Sequence, residues 1–338
     1  MNMNAWIDHQ INSKIKKPMP VLSFPGIQKM PGTTVTDLVN SGRLQADCMK
    51  IIAGLFDTAA SVSLMDLSVE AEAFGSDIRY SDSEVPTVAD TLLSDESDVD
   101  ALEIPKVGAG RTGEYVKTLE YAAKEITDRP VFAGSIGPFS LAGRLLGMTE
   151  IMILAMTEPE IVTKTLDKCT AFIADYALEL KKAGANGLMM AEPAAGLLSP
   201  ALNAEFSVPY ARQIVEAVQD ENFAVIYHNC GNTIPLIDGI LSIGAKILHF
   251  GNAIRLEEML PLVPENVVVC GNVDPAGEFR NGTSESVYAA TVSVLEKCAG
   301  YPNFVISSGC DIPHVSAFAN IEAHFRAIED FMKKTKVA

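Results

Sequence analysis

The chain has 338 residues, 48% of them hydrophobic and 20% charged, and a formal charge of −17. This composition suits a soluble globular protein with a large core, and the length allows one large domain or two ordinary ones. So acidic a balance argues against nonspecific binding to nucleic acid or to anionic membranes.

In chain order, residues 1–17 are polar, lack the apolar core of a signal peptide, and predict a helix or arm. KPMPVLSFPG (17–26) predicts a short strand ending in a Pro-Gly turn, and 33–56 carries helical periodicity. A strand running into a helix or acidic loop follows at 60–75, then a solvated β-excursion at 77–90. The acidic tract LLSDESDVDALEIP (92–105) predicts an exposed, helix-capping stretch.

From residue 113 the pattern becomes regular. RPVFAGSIGPF (129–139) predicts a strand and loop, with a helix over about 141–156. A long amphipathic helix spans 158–184, with Pro near its start and Gly at its end. The strand NGLMMAEP (186–193) leads to a helix over 203–219, and FAVIYHNCGN (223–232) is a strand ending in a polar turn. Three further strands, AKILHFG (245–251), NVVVCGNVDP (266–275) and FVISSGCDIP (304–313), alternate with helical stretches. The last helix covers 316–334. No run reaches the roughly 18 apolar residues of a membrane span.

About eight strands alternating with helices imply parallel strands joined by crossovers. The expected architecture is a single-domain (β/α)8 TIM barrel with an N-terminal helical extension. No Gly-x-Gly-x-x-Gly follows the first strand, which disfavours a dinucleotide-binding fold. In a barrel, residues just past the strand C-termini converge on one mouth. Glu192, His228, Cys230, Asn252, Asp274, Cys310 and Asp311 occupy such positions.

His228 and Cys230 stand two apart, so an extended strand points both to one side. With Cys310 they make an imidazole and two thiolates, a zinc ligand set with a fourth position open. The 80 residues between the two cysteines fit no compact zinc finger but fit two strand ends of a barrel. The competing reading is that these cysteines are small buried hydrophobes. Cys48, Cys169 and Cys298 lie in helical patterns and are expected to pack, and Cys270 is a core residue or a wall of the site. His249, inside an apolar strand, is expected to be a core histidine, whereas His314 could line the mouth. The six cysteines do not read as a disulfide framework, which fits a cytoplasmic protein with reduced thiols.

The segments GNVDP (271–275), HNCGN (228–232) and GCDIP (309–313) resemble the uroporphyrinogen decarboxylase superfamily, over about 20–331. The resemblance implies a (β/α)8 fold. The decarboxylases of that family carry an arginine-bearing Met-Arg-Gln-Ala-Gly-Arg segment that grips porphyrinogen carboxylates. The matching stretch here, SFPGIQKMPG (23–32), has no arginine, which disfavours decarboxylation. The His-x-Cys…Cys set and GPFSLAGRLLG (137–147) instead look like the zinc-dependent corrinoid methyltransferases, among them methylcobamide:coenzyme M methyltransferases.

That resemblance implies Zn2+ on His228, Cys230 and Cys310, with a methylcobamide delivered by a separate corrinoid protein. The second substrate would be a small-molecule thiol. The alternatives are transfer from an O- or N-methyl donor to a corrinoid protein, or a decarboxylase-like barrel without that activity. Glu192 is a candidate fourth ligand or catalytic carboxylate, against a loop carboxylate bonded to amides. Asp274 is a catalytic candidate against a turn former. Asn229 and Asn232 are placed to orient His228, and Asn229 and Asn252 are candidates to touch substrate. Arg144, with Arg280, is a candidate for the anionic end of a thiol. Asp66, Glu70 and Glu72 face the mouth or serve as solvated and capping groups.

Overall fold

The computed structural model describes residues 1–337. Among the described residues nine strands form: β1 (Ser61–Val62), β2 (Ile78–Arg79), β3 (Thr87–Val88), β4 (Val131–Ile136), β5 (Gly187–Ala191), β6 (Ala224–Asn229), β7 (Ile247–Phe250), β8 (Val268–Val273) and β9 (Phe304–Ser308). β2 and β3 pair as an antiparallel hairpin where the solvated excursion is expected. The other seven run parallel in the order β1-β4-β5-β6-β7-β8-β9, and the sheet curls strongly in the manner of a TIM barrel.

Seven strands form rather than eight, and the reason is local. Pro18 and Pro20 have no N–H, so the stretch 18–23 cannot carry a regular ladder. It still lies between the two sheet edges. Met19 N–H donates to Ile306 O on the β9 side (2.9 Å), and Ala59 N–H donates to Pro18 O on the β1 side (2.8 Å). The Ser23 hydroxyl donates to Val62 O. The seam between β1 and β9 is thus bridged by isolated bonds.

Side-chain alternation sorts the strands into two cores. Phe132, Met189, Ile226, Ile247, Val268 and Val305 pack together inside the curled sheet, while their neighbours Val131, Leu188, Val225, Leu248, Val269 and Phe304 pack outward among the helices. The helix Met3–Asn12 joins the inner cluster through Met3 and Ile7, and Trp6 lies 6.0 Å from the Phe132 ring. Each such side chain, once buried, contributes about 1.5–3 kcal/mol.

Two expected helices are each broken in two. The stretch 141–156 becomes Pro138–Leu146 and Met148–Thr157, bent by 103° at Gly147, whose φ of +96° favours glycine. The stretch 203–219 becomes Pro200–Phe206 and Val208–Val218, where Pro209 has no N–H to continue the first helix. No single helix among the described residues is long and apolar enough to cross a membrane.

Candidate metal centre

The alternation that turns Ile226 inward also turns His228 inward, two residues further along β6. The register sets His228 beside His249 on β7, and the same inward parity carries Ser307 on β9. His228 is 3% exposed and His249 fully buried. Their Nδ1 atoms lie 2.8 Å apart, and His228 Nδ1 is also 3.2 Å from the His249 carbonyl. On its far side His249 Nε2 lies 2.8 Å from Ser307 Oγ, which donates its hydrogen to Met19 O at 2.7 Å. Burial, reinforced by His228, pushes the His249 imidazole well below the ordinary histidine range and keeps it neutral.

The other nitrogen of His228 faces the thiols. Its Nε2 lies 3.5 Å from Cys310 Sγ. Cys230 is the third: the neighbouring Cys310 pushes its thiol up to about 12, with His228 acting the other way. The same pairing lowers Cys310. Gly251 makes this approach possible, because a Cβ there would lie 2.5 Å from Cys230 Cα and 2.7 Å from its Cβ.

Among the described residues no group of three or more His, Cys, Asp or Glu side chains stands ready-arranged as a metal cage. The donor set nonetheless fits zinc. A sulfur and a nitrogen bound tetrahedrally at zinc's usual bond lengths stand about 3.5 Å apart, the separation found between Cys310 and His228.

The remaining sequence candidates fall elsewhere. Glu192 is fully buried and caps the helix Pro138–Leu146, accepting from Phe139 N–H (2.8 Å), Ser140 N–H (3.0 Å) and the Ser140 hydroxyl (2.7 Å). Burial raises its pKa to about 7 despite those bonds. Asp274 accepts from Ala276 and Gly277 N–H at 2.9 and 2.8 Å, the geometry of a turn former. Asn229 donates to Glu192 O at 2.6 Å and accepts from Gly231 N–H at 2.8 Å, so it pins the loop rather than His228. Asn252 is exposed, against Gly309, and Asn232 is exposed too. Cys270 is buried in the inner core.

Of the mouth carboxylates, Asp66 and Glu72 are held by Arg111, the latter at 2.6 Å. Glu70 accepts from Ser135 Oγ (2.7 Å) and Ile136 N–H (3.1 Å). Arg144 and Arg280 line a cavity of about 370 Å³ together with Met65, Asp311 and His314. Asp311 follows Cys310 in the chain. Among the described residues nothing hydrogen-bonds or ion-pairs with Arg144; burial lowers its pKa, and the more distant Asp66 and Glu70 oppose that. Arg280 lies 3.9 Å from Glu84 at the exposed rim.

What sequence reasoning missed is His249. Its parity in AKILHFG marks it as inward, but only the register between β6 and β7 sets it against His228.

The sequence profile of the uroporphyrinogen decarboxylase (URO-D) family matches residues 26–331. The methylcobamide:CoM methyltransferase MtbA of Methanosarcina mazei is 29% identical over 261 residues, 76% of this chain and 75% of that protein. A methylated-thiol–coenzyme M methyltransferase of the same organism is 24% identical, over 78% of this chain and 71% of its own. A uroporphyrinogen decarboxylase of Synechococcus sp. is 27% identical, over 80% and 77%. A solved methyltransferase from Methanosarcina mazei superposes with a TM-score of 0.85 at 20% identity, covering 98% of both chains, and so shares the fold.

Proposed function

This chain belongs to the uroporphyrinogen decarboxylase family, and from that membership we propose that it moves a methyl group from a corrinoid, carried by a partner protein, to a small thiol. The residues His228, Cys230 and Cys310 hold a zinc ion. The observation that carries this reading is the 3.5 Å approach of His228 Nε2 to Cys310 Sγ, with the other imidazole nitrogen already engaged. The similarity to methyltransferases named for methylcobamide and coenzyme M supports the substrate pair. The absence of arginine over residues 23–32 weighs against a polycarboxylate substrate.

When bound, zinc makes a substrate thiol ionise near neutral pH. The chain does the rest. His228 would contribute a neutral donor and Cys230 and Cys310 two thiolates, which would offset the charge of the ion and leave a substrate thiolate its nucleophilic charge. Arg144 holds the anionic end of the thiol in the cavity it lines with Asp311, the residue after Cys310 in the chain. The thiolate sulfur attacks the methyl carbon in line with the carbon–cobalt bond. A sulfur–carbon bond forms, the carbon–cobalt pair stays on cobalt, and cobalt(III) becomes cobalt(I). The thiol proton leaves to solvent.

The test is anaerobic: zinc-loaded protein, methylcobalamin and a small anionic thiol, followed by the visible spectrum of cob(I)alamin. The expected result is thiol-dependent cobalt(I), with zinc and activity both lost in Cys310→Ala. Zinc retained in Cys310→Ala removes that cysteine from the ligand set. Reaction only of a methoxy or methylamine donor with cobalt(I) moves the site to the donor side of the pathway.

A further inference from the structure

We propose that His249 and Ser307 are positioning residues that lock His228 into the tautomer whose Nε2 is bare and free to bind metal. The inference rests on the metal reading above and extends it inward from the ligands.

Hydrogen-bond donors and acceptors along this chain of contacts fix the tautomer. A carbonyl oxygen only accepts, so the Ser307 hydroxyl must spend its single hydrogen on Met19 O. Toward His249 the hydroxyl can then only accept, so His249 Nε2 carries a hydrogen. The His249 carbonyl only accepts and lies 3.2 Å from His228 Nδ1, so that nitrogen carries a hydrogen. The 2.8 Å contact between the two Nδ1 atoms has room for one hydrogen, so the His249 Nδ1 is bare. With the Nδ1 hydrogen engaged in this way, Nε2 is the ring nitrogen left for a metal, and it is the atom that faces Cys310. The order of bonds is fixed from one end by a main-chain oxygen of the segment that bridges the seam.

Two readouts test this. In protein stripped of metal and labelled with 15N-histidine, long-range proton–nitrogen correlation reports which nitrogen of each ring is protonated. The expected pattern is Nδ1–H on His228 and Nε2–H on His249. Ser307→Ala should scramble it, and Ser307→Thr, which keeps the hydroxyl, should preserve it. Competition with a chromophoric chelator then measures zinc affinity. His249→Phe and Ser307→Ala should weaken it about tenfold to a hundredfold at unchanged circular dichroism, with Ser307→Thr matching wild type. Nε2–H on His228 in the wild type, or full zinc affinity in both His249→Phe and Ser307→Ala, overturns the proposal. A wild type with Nδ1–H on His228 that binds no zinc sustains the hydrogen-bond chain and removes the metal reading instead. Should His249→Phe fail to fold, the Ser307 pair and the spectra still decide.

Discussion

A half-buried guanidinium bonded to no protein group costs free energy until an anion reaches it. Arg144 is in that position among the described residues, lining the cavity that Asp311 also lines. Replacing it with Met should raise KM for an anionic thiol tenfold to a hundredfold, as expected for losing about 1.5–3 kcal/mol of charge-assisted bonding. KM for a neutral thiol should not move, and steady-state kinetics with the two thiols check this.

Glu70 makes a second prediction at the same scale. It is buried, one carboxylate oxygen has no partner, and burial raises its pKa to about 7 against the opposing bonds from Ser135 and Ile136. A carboxyl raised in the folded state binds protons the unfolded chain has lost. Its contribution is therefore fully present below about pH 4.5 and is lost as pH rises through about 7, on the order of 3 kcal/mol at most. Glu70→Gln should flatten this window, read as urea midpoints at pH 5 and pH 8. Glu192 has the same sign and stays, so part of the slope persists.

Among the elements, the turn after β1 is joined to the start of the helix Thr112–Glu125 by Arg111, which bonds Asp66, Glu72 (2.6 Å) and Ser68 Oγ (2.8 Å). Arg111 and Asp66 are both buried. Arg111→Ala leaves Asp66 without its charge partner and should cost about 3–5 kcal/mol of stability in urea unfolding. The alternation of strands and helices was readable in the sequence because each buried parallel strand is an apolar run bounded by turn residues. What was not readable had local causes. Pro18 and Pro20 leave an expected strand without its ladder, Gly147 turns one expected helix into two, and Glu192 spends its carboxylate on a helix start. His228, Cys230 and Cys310 could be named as candidate ligands by residue type and position. The place of His249 beside His228 could not be, since strand register is a property of the folded sheet.

For the molecule as a whole, the candidate metal site sits at the mouth and the two apolar cores lie elsewhere. Removing metal should therefore leave the fold in place, unlike a zinc finger, whose folding free energy is its metal binding. Chelator-treated protein is expected to keep its far-ultraviolet circular dichroism and a cooperative thermal transition, while thiol-dependent demethylation stops and returns with added zinc.

The seam has a consequence for how the protein comes into being. The bonds that bridge it join Met19 to Ile306 and Ser307, partners nearly the whole chain apart. A nascent chain emerging from the ribosome has to keep its first stave waiting until the last strand has been translated. Cys310 follows that strand within two residues of its end. Closure of the sheet and completion of the candidate ligand set thus arrive together, once β9 has been made, so an abortive product ending short of β9 would lack both.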